Sequence, residues 1–267
     1  MAVDLTPAQQ RAYQEDGYLI VPRLFTRDEL ATFEGRFEAL VSGAETIPDG
    51  MLVMRDVMVA KGAIEPGSRE EAVAKVQDFE ADPVLFAAYA CHPGLLDWIE
   101  ALIGPDIKSV HTMLINKPPH VDGRHPLHQD LLYFPFRPED SIVAAWTAID
   151  PCTRENGCLV AVPGSHRGGL LEHGNPDWEW LNFAYFGARG VGAETERVHL
   201  EMQPGDTVFF HPLLLHGSGR NKTSGFRRSI SAHYASARCT YLDDDQVVRR
   251  GSRPYRLVRG RAHQGGI

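Results

Sequence analysis

The second half of the chain is a series of short runs of β-branched and aromatic residues, separated by turns rich in Gly, Pro and Asp. From Asp106 onward these runs lie at 107–117, 127–134, 141–150, 158–162, 197–202, 206–211 and 227–237. Several short strands with regular turn signals are typical of a β-sandwich or jelly roll. We therefore expect a mainly β fold, with a double-stranded β-helix (jelly roll, cupin-like) core and N-terminal and flanking α-helices.

The N-terminal part of the chain carries helical signals instead. Thr6 followed by Pro7 predicts one helix start, and Thr26 with Glu29 predicts a second. Further helical patterns lie at 69–77, 83–90 and 93–103, and the Gly-, Pro- and acid-rich segment 43–68 predicts a mobile region around a strand at 51–54. We expect a single domain over residues 1–267, comprising a largely helical flank (1–105), the β-helix core (106–240) and a basic tail (241–267).

Composition excludes several classes of protein. The 267 residues are 43% hydrophobic and 23% charged, which is ordinary for a globular domain, and the formal charge of −8 argues against a general nucleic-acid or anionic-membrane binder. The sequence has no apolar run long enough to span a membrane, so no membrane insertion is predicted. Four scattered cysteines without a Cys-x-x-Cys pair predict reduced, mostly packed thiols.

The sequence also shows no recognisable targeting signal. The N-terminus lacks a basic region followed by an apolar one, which argues against a secretory signal peptide. The chain ends Gln264-Gly265-Gly266-Ile267, without a Ser-Lys-Leu-like peroxisomal terminus. We expect a cytoplasmic location, and the pattern leaves the oligomeric state open.

The stretch 125–136 contains His128 and Asp130, two residues apart in a run rich in β-formers and aromatics. On an extended strand these two side chains would share one face, while Gln129 would be turned away. A lone His–Asp pair has an ordinary alternative, a hydrogen-bonded pair at a sheet edge. His216 is a third candidate ligand and favours a metal site, because it follows a Pro-Gly-Asp turn and a strand and precedes Gly217. Two histidines and one carboxylate form a facial triad with open positions, which favours Fe(II) over zinc and predicts a non-haem oxygenase.

The open positions of such a site suit a chelating 2-oxoacid, whose far carboxylate requires a cation. Arg227 lies eleven residues after His216 (227 − 216), on the next predicted strand after a short turn. A guanidinium is planar and always charged, and it binds a carboxylate in bidentate fashion. A solvated arginine on a surface strand is the alternative, but hairpin distance from the third ligand favours a co-substrate anchor.

Several uninterrupted strings carry a family resemblance. They lie at 75–79, 111–119, 125–136, 145–148, 156–160 and 205–219. Over about residues 75–243 the chain resembles the phytanoyl-CoA 2-hydroxylases, the phytanoyl-CoA dioxygenase family of Fe(II)/2-oxoglutarate-dependent oxygenases. The resemblance implies Fe(II), 2-oxoglutarate and O2 as cofactor and co-substrates, with ascorbate as a candidate reductant. It also implies a small-molecule substrate, an acyl-CoA hydroxylated at C2.

The resemblance assigns roles to individual residues. It implies His128, Asp130 and His216 as the iron ligands and catalytic centre together with Arg227, and it implies 2-oxoglutarate contacts at the following positions: Lys75, Met113, Gln129, Trp146 and Arg227. Without the resemblance Lys75 would be read as a surface lysine, and Met113 and Trp146 as core residues. Related halogenases replace the ligand carboxylate by a small residue, so Asp130 favours hydroxylation.

Two segments keep open alternatives. The irregular segment 163–196, with Trp178 and Trp180, is a candidate lid, although His166 and His173 within it are read as ordinary loop histidines. Residues 246–267 contain six arginines and no acid, which fits the phosphates of coenzyme A or, equally, a solvated or oligomer-contacting tail. Two other functions also remain: a hydroxylase of a different small molecule, and a non-enzymatic cupin-like metal- or ligand-binding protein.

Overall fold

The helices lie mainly in the N-terminal part of the chain. The computed structural model describes residues 3–180, 182, 184–242 and 255–267. Its helices are α1 (Pro7–Asp16), α2 (Arg27–Ser42), α3 (Val57–Ala60), α4 (Pro83–Leu85) and α5 (Pro93–Ile103), with a π-helical turn at Phe86–Ala90. Short 3-10 turns lie at Phe79–Ala81, Asp130–Tyr133, Glu139–Ser141 and Ser165–Gly168. Within the described residues, none of the helices combines the length and the apolar character needed to cross a membrane.

Both predicted helix starts are confirmed. The hydroxyl of Thr6 accepts a hydrogen bond from the backbone N–H of Gln9, and the Gln9 side chain accepts one in return from the backbone of Thr6. Thr26 and Glu29 form the same reciprocal box at α2. Each box satisfies N–H groups that a helix leaves without partners at its first turn. Local sequence therefore fixes where these helices begin.

Within the described residues, the strands form two facing antiparallel sheets and two short ribbons. They are β1 (Tyr18–Val21), β2 (Leu52–Arg55), β3 (Val73–Gln77), β4 (Ile107–Lys117), β5 (His125–His128), β6 (Phe136–Arg137), β7 (Ile142–Ala148), β8 (Leu159–Ala161), β9 (His173–Gly174), β10 (Gly187–Ala188), β11 (Val198–Leu200), β12 (Thr207–Phe210), β13 (His216–Ser218), β14 (Arg227–Ser236), β15 (Thr240–Tyr241) and β16 (Arg256–Arg259).

The major sheet has eight strands in the order β1-β12-β7-β14-β4-β3-β2, and β16 pairs with β4 beside this path. The minor sheet has the order β11-β8-β13-β5, and β10-β9 and β15-β6 form the ribbons. This arrangement confirms the predicted jelly-roll core. Because β7, β14 and β4 are central strands of one sheet and β13 and β5 belong to the other, residues from both sheets can face one cavity.

Buried apolar side chains lie on both faces of the major sheet. On its outer face, Phe33 and Phe37 of α2 and Ile99 of α5 pack in one cluster with Phe209 and Ile230 of the sheet. A second cluster fills the space between the sheets and includes Trp146, Val208, Phe210, Leu159 and Ala161. At about 25 cal/mol per Å2 of apolar surface removed from water, burial of this kind is the main term that stabilises the fold. The helices therefore cover one face of the sheet and leave the other to the functional site.

Two sequence expectations require correction. The predicted helix at 69–77 is wrong, because residues 73–77 form β3, which pairs with both β2 and β4. The predicted strand at 127–134 ends at His128, and residues 130–133 form a 3-10 turn. The division into a largely helical flank, a β-helix core and a basic tail stays a prediction, and β1 to β3 and β16 from the outer regions join the major sheet. The single-domain organisation stays a prediction.

Candidate metal centre and co-substrate cavity

The two candidate imidazole ligands meet across neighbouring strands of the minor sheet. His128 ends β5 and His216 begins β13, and the two are directly opposite in the antiparallel register. Their ring centroids are 4.2 Å apart. Asp130 follows His128 at the start of the 3-10 turn, and its Oδ1 lies 3.3 Å from Nε2 of His128 and 3.6 Å from Nε2 of His216. One ligand atom from each residue thus lies within 4.8 Å of the others, which a single metal ion can bridge.

Backbone carbonyls orient both imidazoles. Nδ1 of His128 lies 2.9 Å from the carbonyl oxygen of Pro126, and Nδ1 of His216 lies 3.0 Å from that of Leu214. A carbonyl only accepts, so each Nδ1 carries the proton and each Nε2 faces Asp130 with its lone pair free. Burial lowers the pKa of His216 to about 4, so this ring is neutral at pH 7. Metal ligation requires that neutral form.

Asp130 is buried and carries its charge because histidines surround it. Burial alone would raise its pKa, but the neighbouring imidazoles of His216, His233 and His128, together with the hydrogen bond from His233, hold the pKa well below its ordinary value. Nε2 of His233 donates to Oδ2 of Asp130 at 2.8 Å. One carboxylate oxygen is therefore fixed by His233, and the other faces the two ligand imidazoles.

The triad opens into a cavity between the two sheets. Its empty volume is about 920 Å3, including the open mouth, and His128, Asp130 and His216 all line it. Four of the five residues predicted as 2-oxoglutarate contacts line the same cavity: Lys75, Met113, Trp146 and Arg227. The structure therefore brings seven of the eight predicted site residues together.

Arg227 is the most unusual of these residues. Its side chain is 1% exposed, and its guanidinium lies 5.6 Å from the ring centroid of Trp146. Nη1 donates to the hydroxyl of Ser229 at 2.9 Å, while Nε has no hydrogen-bond partner and no described carboxylate forms an ion pair with the side chain. Burial lowers the pKa of Arg227. A buried, unpaired guanidinium is costly to the fold, so its position calls for an anionic ligand.

Lys75 is a buried cavity residue and not the surface lysine of the ordinary alternative. It lies on β3, its Nζ is 3.9 Å from Sδ of Met113 and 5.1 Å from the ring centroid of Tyr185. Burial lowers the pKa of Lys75 to about 8. A further basic residue, Lys117, lies opposite Arg227 in the β4–β14 register and also lines the cavity. Lys117 was not among the predicted site residues.

Gln129 departs from the expectation that the resemblance gave it. Its side chain is fully buried, and it is not among the residues that line the cavity. Its Nε2 donates to the carbonyls of Gly169 and Leu213 at 2.8 Å each, and its Oε1 accepts from the backbone N–H of Leu171 at 2.8 Å. This agrees with the strand argument that turned Gln129 away from the metal ligands. In this structure Gln129 holds the backbone at the start of the candidate lid, and its co-substrate role stays a prediction.

The candidate lid contributes to the cavity wall. Trp180, Asn182 and Tyr185 line the cavity, and Trp178 packs over the guanidinium of Arg124 at 4.2 Å. Residues 163–196 otherwise contain only the 3-10 turn and the short strands β9 and β10 in their described part. This placement is consistent with a lid, which stays a prediction.

Sequence reasoning missed Ser231 and His233, although a signal for them was present. On β14 the polar residues Arg227, Ser229, Ser231 and His233 alternate with residues that face away. Successive side chains on a strand point to opposite faces, so a polar residue at every second position predicts one polar face. Ser231 lines the cavity, and its buried hydroxyl has no hydrogen-bond partner among the described residues.

The residues present fit Fe(II) and 2-oxoglutarate. The metal fit rests on two imidazoles with Nε2 directed at a charged carboxylate oxygen, a donor set that suits non-haem iron. The co-substrate fit rests on the unpaired atoms of Arg227 and Ser231, which can donate to a carboxylate that reaches the base of the cavity.

Known proteins share this sequence and this fold. The phytanoyl-CoA dioxygenase (PhyH) family model matches residues 13–229. The probable phytanoyl-CoA dioxygenase of Caenorhabditis elegans is 48% identical over 247 residues, covering 90% of this chain and 78% of that protein. The peroxisomal phytanoyl-CoA dioxygenase of Homo sapiens is 49% identical over 243 residues, covering 90% and 71%.

Two solved structures share the fold at low identity. The epimerase SnoN, in complex with Fe3+, alpha ketoglutarate and nogalamycin RO, superposes with a TM-score of 0.65 at 24% identity, covering 94% of this chain and 93% of that one. The carbocyclase SnoK gives a TM-score of 0.64 at 22% identity, covering 97% and 95%. Identities this low support the fold alone. The family model and the relatives nearly half identical carry the assignment: the chain belongs to the phytanoyl-CoA dioxygenase family, whose members use Fe(II), 2-oxoglutarate and O2.

Proposed function

We propose that the protein hydroxylates an acyl-CoA at C2 and couples this reaction to the decarboxylation of 2-oxoglutarate to succinate and CO2. One oxygen atom of O2 enters the new hydroxyl group and the other enters succinate. The observation that carries the reaction class is the position of the unpaired, buried Arg227 in the same cavity as the His128, Asp130 and His216 triad. Membership of the family makes the protein a 2-oxoglutarate-dependent dioxygenase.

Each cavity residue has a role in this proposal. His128, Asp130 and His216 would hold Fe(II), which supplies the O2-activating redox chemistry when bound. Arg227 would receive the far carboxylate of 2-oxoglutarate in a bidentate contact, and Lys75 would add a second positive charge. Met113 and Trp146 would form apolar walls that orient the co-substrate and exclude water.

The acyl-CoA substrate is supported by the relatives and not by the metal centre. The C. elegans and human relatives are described as phytanoyl-CoA dioxygenases. A jelly-roll oxygenase fold serves many substrates, so the fold gives no preference among them. A hydroxylase acting on another small molecule is therefore the second candidate.

We also propose a cytoplasmic location, although several relatives are described as peroxisomal. Fluorescence microscopy of the tagged chain tests this location.

The first experiment loads the protein with Fe(II) under anaerobic conditions, adds 2-oxoglutarate and then O2, and measures succinate. It compares reactions without substrate, with straight-chain acyl-CoAs and with 3-methyl-branched acyl-CoAs. The expected result is succinate formation stimulated by an acyl-CoA, with a product heavier by one oxygen atom. Slow succinate release that no acyl-CoA stimulates would retain the oxygenase and reject the substrate class.

A third outcome addresses the non-enzymatic alternative. A cupin-like binding protein would retain the metal and bind 2-oxoglutarate, but it would release no succinate under any condition. The presence of all three ligands together with the anchoring Arg227 disfavours this alternative.

A further inference from the structure

A second pocket, lined mainly by basic side chains, opens beside the metal cavity. Its empty volume is about 730 Å3, open to solvent, and it is lined by Gly219 and five basic side chains: Arg124, Arg154, His199, Arg220 and Lys222. Arg124 also lines the metal cavity, so the two spaces adjoin. We call these five side chains the basic pocket. None of them takes part in the metal centre or in the proposed 2-oxoglutarate contacts.

The basic pocket holds more positive than negative charge. The buried Asp122 pairs with two arginines, Arg124 at 2.6 Å and Arg220 at 2.9 Å, so one carboxylate serves two guanidinium groups. Arg154 and Lys222 are exposed and form no ion pair with any residue that the structure describes. Solvated cations of this kind are free to bind an anion.

Two acids flank the pocket and reduce its charge without cancelling it. Oε1 of Glu201 accepts from the backbone N–H of Arg154 at 2.9 Å, and the backbone carbonyl of Glu155 accepts from the backbone N–H of Lys222 at 2.9 Å. Counting these two acids and Asp122 against the four Arg and Lys side chains leaves one net positive charge, before any proton on His199. On a chain of formal charge −8, this concentration of cations is local.

The distance to the metal ligands matches a long, thin substrate arm. Arg220 lies four residues after His216, and a strand advances about 3.3 Å per residue, so their Cα atoms are at most about 13 Å apart. In an acyl-CoA the reacting C2 is next to the thioester, and the pantetheine arm separates the thioester from the phosphates. An extended pantetheine arm can cover a separation of this size.

The lid segment bounds the passage between the two pockets. Trp178 packs on Arg124, the side chain that lines both spaces, at 4.2 Å from guanidinium carbon to ring centroid. Asp122 holds the other side of the same guanidinium through two hydrogen bonds of 2.6 and 2.7 Å. Arg124 is therefore fixed at the border, where a polyanion entering with its thioester ahead would pass.

We infer that the basic pocket binds the phosphorylated nucleotide end of coenzyme A, the adenosine 3′,5′-bisphosphate moiety, while the thioester and C2 reach the metal centre. This inference rests on the acyl-CoA substrate proposed above. The basic pocket thus takes the place of the described part of the arginine-rich tail as the proposed phosphate site. Arg259 pairs there with Asp97 and Glu100 of α5, and β16 pairs with the start of β4, the end opposite Lys117. Arg249, Arg250 and Arg253 lie outside the described residues.

The test uses the full-length double variant Arg154→Ala/Lys222→Ala. Its matched control is Arg11→Ala/Arg27→Ala, which removes two exposed positive charges from α1 and α2. Each protein is assayed with an acyl-CoA and with the N-acetylcysteamine thioester of the same acid, which lacks every phosphate. We expect the ratio of kcat/KM for the acyl-CoA to kcat/KM for the short thioester to fall about tenfold in the pocket variant. Added salt should lower that ratio in the wild type and in the control.

Binding of the isolated nucleotide gives a readout that does not depend on turnover. Adenosine 3′,5′-bisphosphate is titrated into each protein by calorimetry, with adenosine and inorganic phosphate as comparison ligands. We expect the bisphosphate to bind the wild type and the control, and to bind the pocket variant about tenfold more weakly. Equal binding of inorganic phosphate would indicate a general anion site and overturn the assignment.

The remaining outcomes separate this inference from the proposed function. Turnover of acyl-CoA with an unchanged ratio in the pocket variant would overturn the inference and keep the function. If the wild type turns over no acyl-CoA, the proposed substrate is wrong, and the bisphosphate titration alone tests the basic pocket. Bisphosphate binding that the pocket variant weakens would then support the pocket, and absent or unweakened binding would overturn it.

Discussion

Nε2 of His233 lies 2.8 Å from Oδ2 of Asp130, so a histidine on the major sheet holds a proposed metal ligand that follows a strand of the minor sheet. Both side chains are buried, at 4% and 6% exposure. Asp130 lies in a 3-10 turn directly after β5. The hydrogen bond from His233 fixes the oxygen that does not face the ligand imidazoles.

Replacing His233 by Phe should weaken iron binding while keeping the ring volume. Loss of the N–H donor leaves Oδ2 of Asp130 buried without its partner, and hydrogen bonds to ligand groups are typically worth about tenfold to hundredfold in metal affinity. Anaerobic Fe(II) titration measures the change. His263→Phe is the matched control, because it removes a similar histidine–aspartate contact, 2.6 Å to Asp106, away from the metal ligands. Equal iron affinity in wild type and His233→Phe would contradict the positioning role.

Asp130→Ala should abolish iron binding. The substitution removes the only carboxylate that lies within 4.8 Å of both ligand imidazoles in the described chain, and two imidazoles alone hold Fe(II) weakly. Metal analysis after anaerobic loading and desalting is the measurement, with Asp49→Ala, an exposed carboxylate, as the control. An Asp130→Ala protein with a full complement of iron would refute the ligand assignment.

Local patterns predicted the parts of the site that depend on neighbours in sequence. The caps at Thr6 and Thr26, the β4 and β14 strands, and the turn before β12 are short-range features, and the structure confirms them. These features need only the two-residue period of a strand and the conformations of turn residues. Arg227 lines the same cavity as His216, as predicted, but the expected hairpin is wrong, because β13 and β14 belong to different sheets and residues 219–226 connect them.

Features that depend on distant partners could not be predicted in this way. Residues 73–77 carry a pattern compatible with a helix, but pairing with β2 and β4 makes them a strand, and only that pairing turns Lys75 into the cavity. The contact between His233 and Asp130 joins residues 103 apart. Patterns within a single sequence carry no information about such long-range pairings, so tertiary contacts determine both features.

Gln129→Leu should lower the free energy of unfolding without weakening 2-oxoglutarate binding. The change breaks three hydrogen bonds to backbone groups of Gly169, Leu171 and Leu213, worth about 2–4 kcal/mol together. Urea denaturation measures stability, and KM for 2-oxoglutarate measures the co-substrate contact. Gln203→Leu, at an exposed position, is the control. An increase in KM with unchanged stability would restore the co-substrate role that the resemblance implied.

Arg227→Ala should raise KM for 2-oxoglutarate about hundredfold, because a bidentate, charge-assisted contact is lost in a buried site. Arg227→Lys should give an intermediate value, since an ammonium cannot reproduce the planar fork. The substitution should lower the free energy of unfolding of the apo protein much less than it weakens 2-oxoglutarate binding, because the guanidinium lacks a carboxylate partner among the described residues. Thermal unfolding with and without 2-oxoglutarate separates the two effects: the co-substrate should raise Tm of the wild type and leave Tm of Arg227→Ala unchanged. A ligand-induced rise in Tm of equal size in the variant would argue against the anchor.

The pKa of Lys75 predicts how co-substrate use depends on pH. Burial lowers this pKa to about 8, so the free enzyme loses the positive charge of Lys75 as the pH rises through that value. Because kcat/KM reports the groups of the free enzyme, kcat/KM for 2-oxoglutarate should fall about tenfold above pH 8. Lys75→Arg keeps the charge at every pH and should flatten the profile. An unchanged fall in that variant would assign the titration to another group.

The same shift predicts the opposite trend for the stability of the apo protein. Between about pH 8 and the ordinary value of 10.5, the unfolded chain binds a proton at Lys75 that the folded chain has lost. The free energy of unfolding therefore rises with pH in this window. Burial also lowers the pKa of Lys117, which contributes with the same sign. Urea denaturation at pH 7.5 to 9.5, values spaced about the pKa of Lys75, should give a smaller rise for Lys75→Met than for the wild type, and an equal rise would show that Lys75 keeps its proton in the folded protein.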